Sequence, residues 1–278
     1  MVRIQDSQSW HRGSIPLSTT KFRVKGGKVL SLIRFFFAFM ENMEWLSRTT
    51  ALLGEESIEK LHNSKIALFG IGGVGGYALE ILARSGVGNI DIFDNDIISA
   101  SNINRQIIAL HSLVGRKKVD VAKERVLDIN PNCNITTHEL FYLPENANET
   151  DLSVYDYVID CIDTMSAKIE LIRRCHALHV PILCCMGTAN KMNPTSFKVT
   201  DIKQTKYDPL ARIIRKKLKE MNIPKLKVVC SDEQPMKTIV ERQNGRNTPA
   251  SNAFIPAVAG IIIGSEVVKD LTAHKRDK

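Results

Sequence analysis

Two cationic and two acidic side chains in the middle of the chain could act together on a phosphate group. Asp94 follows a short apolar run, Arg105 and Lys118 come soon after it, and Asp163 follows a later apolar run. An arginine and a lysine that point into one crevice stabilise the charge that builds on the bridging oxygens when a nucleoside triphosphate is cleaved. These residues therefore predict a site that cleaves ATP between its α- and β-phosphates.

A glycine-rich segment precedes these residues and offers a place for the phosphates. The apolar run at 66–69 is short enough to be a buried parallel strand, and a helical pattern follows the glycines. Glycines between a strand and a helix let backbone N–H groups approach phosphates at the helix N-terminus. A second apolar run at 90–93 ends on Asp94, whose carboxylate can bond the hydroxyl groups of a ribose. The glycines are Gly70, Gly72, Gly73 and Gly75.

Two other classes of protein share part of this pattern. An NAD-dependent oxidoreductase would explain the glycines and Asp94, but it leaves Arg105 and Lys118 without a role. A non-enzymatic binding module would be expected to have lost at least one of Asp94, Arg105, Lys118 and Asp163, and all four are present. An ATP-cleaving enzyme therefore explains the most residues.

Apolar runs and helical periodicity alternate along the chain up to residue 193, which predicts strands that alternate with helices. This order predicts an α/β fold, a Rossmann-like open sheet with helices on both faces, which binds ligands at the carboxyl ends of its strands. The fourth strand ends near Asp160, which is either a cap or a supporting group, and Thr164 is expected to cap the next helix. The expected strands are residues 66–69, 90–93, 135–138, 155–162 and 181–186.

The pattern changes after residue 193, which predicts a small C-terminal α/β elaboration. An alternating strand is expected at 196–202, a basic helix at 208–221 and a short strand at 228–231. The basic helix is either a solvated face or a surface for a nucleic-acid backbone. The last helix, 254–271, has an apolar core too short for a bilayer span of about 20 residues. We therefore expect it to be buried or to lie at a dimer interface.

Composition excludes several classes of protein. The 278 residues suit one α/β domain with a small elaboration, and 44% hydrophobic and 24% charged residues are typical of a globular protein. Six cysteines without a Cys-x-x-Cys pair predict reduced thiols in a cytoplasmic protein, with no zinc site. The net charge of +8 comes mostly from residues 1–39, so only a local cluster can argue for nucleic-acid binding.

Over residues 46–271 these motifs together resemble the ATP site of the ubiquitin-activating-enzyme-like superfamily, also called the ThiF/MoeB/HesA family. The resemblance implies that ATP adenylates a carboxylate, that Asp163 holds Mg²⁺, and that Arg105 and Lys118 stabilise charge in the transition state. It also implies a homodimer in which Arg48 reaches the ATP phosphates of the neighbouring subunit. The residues that it assigns to ATP are Gly70, Gly72, Gly73, Gly75, Asp94, Asp96, Ser101, Asn102, Asn104, Arg105, Lys118, Asp163 and Thr164.

Further features resemble one branch of that family, the tRNA threonylcarbamoyladenosine dehydratases. They are Arg48, the segment 205–210, the basic helix, Cys230 and the apolar last helix. The resemblance implies that a threonylcarbamoyl group on tRNA is adenylated and closes into a ring, with release of AMP and pyrophosphate. The residues expected to bind tRNA are Arg212, Arg215, Lys216, Lys219 and Lys225. The alternative is a sulfur-carrier-protein adenylyltransferase acting on a Gly-Gly tail, and a cysteine desulfurase or sulfur acceptor is a further candidate partner.

The chain is expected to divide into three parts. Residues 1–39 do not resemble the family and are an extension, which is an upstream misplaced start, a targeting segment or a structural arm. Residues 40–271 form the adenylating domain, and residues 272–278 form a basic tail. The protein is expected in the cytoplasm, without a membrane span.

Overall fold

The computed structural model describes residues 44–237 and 249–273, and seven strands in this part form one sheet. The strands are β1 (Lys65–Phe69), β2 (Asn89–Phe93), β3 (Asn134–His138), β4 (Tyr157–Asp160), β5 (Ile182–Cys185), β6 (Phe197–Asp201) and β7 (Lys227–Ser231). Their order in the sheet is β3-β2-β1-β4-β5-β7-β6, and every neighbouring pair is parallel except β6 and β7. The order reverses between β1 and β4, and ligands of open α/β sheets bind at such a point.

Helices connect the strands and cover the sheet, which confirms the expected Rossmann-like α/β fold. The helices are α1 (Ser47–Leu53), α2 (Glu55–Asn63), α3 (Gly75–Arg84), α4 (Lys118–Ile129), α5 (Met165–Leu178), α6 (Pro209–Glu220) and α7 (Ile255–Thr272). Helix α3 packs against α4 and α7, whereas α5 packs against α6. The antiparallel edge strand, α6 and β7 form the expected C-terminal elaboration.

The last helix, α7, packs closely on α3, as the expectation of a buried apolar helix requires. A Cβ atom on Gly260 would lie 2.2 Å from the carbonyl oxygen of Val74, and one on Gly264 would lie 2.6 Å from Cβ of Ile81. Real atoms do not approach so closely, so both positions need glycine for the two backbones to meet. Helix α7 thereby supports the turn between β1 and α3.

No helix in residues 44–237 and 249–273 is long and apolar enough to cross a membrane.

The structure corrects several details of the sequence interpretation. The fourth strand is shorter than expected, because the Asp160 carboxylate accepts the N–H of Ile162 at 3.1 Å and turns the chain after Asp160. The polar connection at 144–153 buries Ala147 and Leu152. All six cysteines are free thiols, as expected, and Cys230 is buried. The extension at 1–39 and the tail after residue 273 lie outside the described residues.

Candidate nucleotide-binding site

A cavity of about 780 Å³ lies at the carboxyl ends of β1, β2, β4 and β5. This is the edge of the sheet where the sequence predicted a site, because parallel strands bring their carboxyl ends together. Most of the predicted site residues line it, namely Gly70, Gly72, Gly73, Asp94, Asp96, Asn102, Arg105, Lys118, Asp163 and Thr164. Gly75, Ser101, Asn104 and Arg48 are not among its lining residues.

The turn between β1 and α3 can exist only with glycine at two positions. Gly70 has a φ of +89°, and a Cβ atom there would lie 2.8 Å from the carbonyl oxygen of Cys161. A Cβ atom on Gly75 would lie 1.8 Å from the carbonyl oxygen of Gly70, so Gly75 closes the turn without reaching the cavity. The N–H groups of Gly72, Gly73 and Val74 have no acceptor within the described residues. They are therefore available to an anion.

Asp94 joins the end of β2 to the glycine turn. Its carboxylate accepts the N–H of Ile71 at 2.7 Å and the N–H of Asp96 at 2.9 Å. Burial raises the pKa of Asp94, and the Lys118 ammonium and the two N–H bonds offset only part of that rise. Asp94 thus orders the turn while it also faces the cavity, where a ribose hydroxyl can donate to it.

Lys118 is buried in the first turn of α4, with its ammonium beside two carboxylates. Its Nζ lies 2.6 Å from Oδ2 of Asp96 and 3.9 Å from Oδ1 of Asp94. The Asp96 side chain is 60% exposed, so a phosphate can take its place beside the ammonium. A cation at a helix N-terminus opposes the helix dipole and needs a negative partner, which these carboxylates supply.

Arg105 is held by two other residues of the predicted motif. Its guanidinium donates to the carbonyl oxygen of Ser101 at 3.0 Å and to Oδ1 of Asn104 at 2.9 Å. Asn102 forms a capping box with Ser99, whose N–H it accepts at 3.1 Å. Ser101 and Asn104 do not line the cavity themselves. They position the guanidinium of Arg105, which does.

Asp163 reaches the cavity on a loop that a buried ion pair supports. Nζ of Lys168 lies 2.6 Å from Oδ2 of Asp160 and donates to the carbonyl oxygen of Cys185 at 3.0 Å. Burial would lower the pKa of Lys168, but the Asp160 carboxylate outweighs it and raises the pKa to about 12. Asp160 is thus a supporting group that ties the end of β4 to the end of β5.

Thr164 lies at the N-cap position of α5, but its side chain accepts no capping hydrogen bond. The sequence interpretation gave the correct N-cap residue, but the capping hydrogen bond expected from its side chain is not made. The side chain lines the cavity instead.

Several lining residues had no role in the sequence interpretation. Gln106 is buried beside Arg105, and its Oε1 has no hydrogen-bond partner within the described residues. Phe141, which is 49% exposed, lines the cavity together with Leu140 and Tyr142. The sequence offered a signal only for Gln106, which directly follows Arg105. The other residues line the cavity because of tertiary packing, which no local pattern reveals. Further unassigned lining residues come from the loop after β5 and from the segment before α7.

The residues expected to bind tRNA lie on α6 and after it, away from the phosphate-binding turn in sequence. Arg212, Lys216, Lys219 and Lys225 are exposed. Arg215 is half-buried, and its guanidinium donates to the carbonyl oxygen of Thr205 at 3.0 Å, so it fixes the chain before α6. Arg48 is exposed on α1 and does not line the cavity of its own chain.

The chain is similar to known proteins over most of its length. Residues 46–278 match the model of the ThiF family. The chain is 43% identical over 237 residues to the tRNA threonylcarbamoyladenosine dehydratase of Bacillus subtilis, covering 81% of this chain and 93% of that protein. The Saccharomyces cerevisiae protein tRNA threonylcarbamoyladenosine dehydratase 2 is 32% identical over 232 residues, which are 82% of this chain and 52% of that protein.

Solved structures lead to the same family. The structure of Escherichia coli tRNA N6-threonylcarbamoyladenosine dehydratase, TcdA, in complex with ATP matches with a TM-score of 0.74 at 33% identity, covering 81% of this chain and 93% of that one. Three findings agree with the site geometry. The family model covers most of the chain, one relative matches over nearly its whole length, and the fold is shared. The chain belongs to the ThiF family.

Proposed function

We propose that this protein uses ATP to adenylate a carboxylate, that of the threonylcarbamoyl group of tRNA threonylcarbamoyladenosine. The products are the cyclised, dehydrated nucleoside, AMP and pyrophosphate. The observation that carries the proposal is that free N–H groups of the glycine turn, Asp94, Arg105, Lys118 and Asp163 line one cavity. The choice of tRNA as substrate is supported by the relatives in Bacillus subtilis and Escherichia coli.

The proposal assigns ATP one orientation in the cavity. The triphosphate binds the N–H groups at residues 72–74, close to Arg105 and Lys118, and the ribose lies against Asp94. The adenine then points towards Leu140 and the exposed Phe141, which offer an apolar surface for a purine ring. In this orientation the phosphates face N–H groups and cations, the ribose faces a carboxylate, and the adenine faces apolar side chains.

Mg²⁺ is part of the proposal, and Asp163 would hold it. Within the described residues no group of three or more His, Cys, Asp or Glu side chains could hold a metal ion. Mg²⁺ at nucleotide sites is commonly bound by one or two carboxylates together with substrate phosphates, so one exposed carboxylate in the cavity fits it. Bound there, the ion would neutralise phosphate charge.

The chemistry needs no protein nucleophile. A carboxylate oxygen of the substrate attacks the α-phosphorus of ATP, and the bond to the bridging oxygen of pyrophosphate breaks. A nucleophilic atom of the same threonylcarbamoyl group then attacks the activated carbonyl carbon and loses its proton. AMP leaves with the former carboxylate oxygen, so the nucleoside loses the elements of water. Arg105 and Lys118 stabilise the charge on the departing pyrophosphate.

The two cysteines of the cavity are unsuited to covalent catalysis. Burial raises the pKa of Cys161 well above its usual value and raises the pKa of Cys185 to about 12. Both side chains are therefore thiols and not the reactive thiolates near neutral pH. Cys230 is buried and does not line the cavity.

A sulfur-carrier-protein adenylyltransferase is the second candidate function. It is favoured by the molybdopterin-synthase adenylyltransferase of Haemophilus influenzae, which is 36% identical over 134 residues, or 48% of this chain. Such an enzyme would use the same ATP site and would differ in its carboxylate substrate and partners. We also propose that the protein acts in the cytoplasm.

The first prediction concerns the two cations of the cavity, Lys118 and Arg105. Replacing Lys118 with alanine should lower the rate of AMP formation about 10²–10³-fold, because one preorganised positive charge beside the phosphates is removed. Arg105→Ala should have a similar effect. Lys117→Ala is the matched control, since Lys117 is exposed and pairs with Glu139 at 2.6 Å. Near-normal turnover in both site variants, measured with ³²P-labelled ATP, would refute the assignment.

The second prediction concerns a two-fold dimer in which Arg48 completes the site of the neighbouring subunit. Arg48 is exposed, as this role requires. A mixture of Arg48→Ala and Lys118→Ala subunits should regain about a quarter of wild-type activity, because each hybrid dimer has one intact site. Each variant alone should keep only a small fraction of wild-type activity. If hybrid dimers form, as native mass spectrometry can show, and activity does not return, Arg48 is not shared.

The third prediction concerns tRNA binding by α6. Replacing the exposed Lys216 and Lys219 with glutamate should weaken tRNA binding and lower the log–log salt slope by about one unit for each phosphate that the helix no longer binds. ATP binding should stay unchanged, because neither residue lines the cavity. Lys123→Glu on α4, also exposed, is the control. Arg215 is left intact because its hydrogen bond to Thr205 is structural. An unchanged affinity and slope would show that α6 is only a solvated face.

A further inference from the structure

The cavity has a second wall that the proposed ATP-binding residues do not explain. Gly187, Thr188 and Ala189 form it in the loop after β5, and Pro249 and Ser251 belong to a neighbouring segment. The ATP groups named above use the ends of β1, β2 and β4 and the start of α4 instead. One cavity therefore offers a nucleotide-binding side and a separate side at the end of β5.

This second wall carries hydrogen-bond donors that lack acceptors. The N–H groups of Gly187, Thr188 and Ala189 have no acceptor within the described residues, and the hydroxyl of Thr188 has no partner there. All three residues are only half-exposed. Because these N–H groups make no hydrogen bond within the described residues and line the cavity, they can donate to a bound acceptor. Consecutive N–H groups in a loop suit an anion.

The wall is held in place from both ends. Asn190 donates its N–H to the carbonyl oxygen of Ala250 at 2.8 Å, and Oδ1 of Asn190 accepts the N–H of Ala250 at 2.8 Å. The buried Lys191 ammonium donates to the carbonyl oxygen of Gly187 and lies 3.3 Å from Oδ2 of Asp208. Because these bonds are made by the loop itself, a ligand does not need to order it, which favours binding.

We propose that Thr188 and the N–H groups of residues 187–189 hold the carboxylate of the acceptor, a carboxylate attached to a modified purine nucleoside of RNA. This inference rests on the proposed function, which requires a carboxylate to meet the α-phosphate of ATP in the same cavity. Neutral donors suit that carboxylate because they orient it while an oxygen stays free to attack. The buried cation beside the wall, Lys191, is already paired with Asp208.

The test compares the same substitution at two threonines. Thr188→Val removes the hydroxyl and keeps the shape, and it should raise KM for a threonylcarbamoyl-modified anticodon stem-loop RNA about tenfold, with KM for ATP unchanged. Thr136→Val is the control, because Thr136 is exposed on β3 and does not line the cavity. Thr188→Ser restores the hydroxyl and should recover most of the wild-type KM.

Wild-type protein in the same assay separates this inference from the function on which it rests. If the wild type releases AMP with the modified RNA and Thr188→Val keeps the wild-type KM for that RNA, the acceptor site is elsewhere. A rise in KM for ATP of the same size as that for RNA would also overturn the inference. If the wild type releases no AMP, the proposed function itself fails.

Discussion

Three stretches of backbone meet at the glycine turn, and the rest of the site depends on this close approach. Gly75 closes on the carbonyl oxygen of Gly70, Gly70 lies against Cys161, and Gly260 of α7 lies against Val74. Because protein interiors are close-packed, a side chain at any of these positions would push the neighbouring backbone segments apart. Because the chain turns so tightly, the N–H groups at 72–74 stay free of internal partners and can bind phosphate.

Buried ion pairs position the charged groups around that turn. Asp160 and Lys168 connect the loop of Asp163 to the end of β5, and Lys191 and Asp208 fix the loop that follows β5. Such pairs add little net stability, since taking two charges out of water costs about as much as their attraction returns. Their effect is to hold the loops in one conformation. The pair of Lys118 and Asp96 differs, because the carboxylate is exposed and can be displaced by a phosphate.

The fold could be predicted from the sequence because its signals are local. Short apolar runs, a glycine turn and helical periodicity located each parallel strand within a few residues, and Asp94, Arg105 and Lys118 followed from motif spacing. Lys168 could not be predicted, since a lysine in a helix usually faces water and only the position of Asp160 makes its burial favourable.

The role of Arg215 and the wall at Thr188 were missed for a similar reason. A basic helix suggests a charged surface, but the guanidinium of Arg215 turns back to Thr205, and no local pattern shows this. The free donors at 187–189 become visible only when the sheet brings the ends of β4 and β5 to one edge. Contacts between segments that are distant in sequence decide both features.

The central claim is that the ATP site serves a carboxylate on tRNA. The most direct measurement gives the purified protein ATP together with tRNA that carries threonylcarbamoyladenosine, unmodified tRNA, or a carrier protein with a Gly-Gly terminus. We predict that AMP forms only with the modified tRNA, and that mass spectrometry shows its nucleoside lighter by one water. AMP formation with the carrier protein, and none with the modified tRNA, would contradict the account.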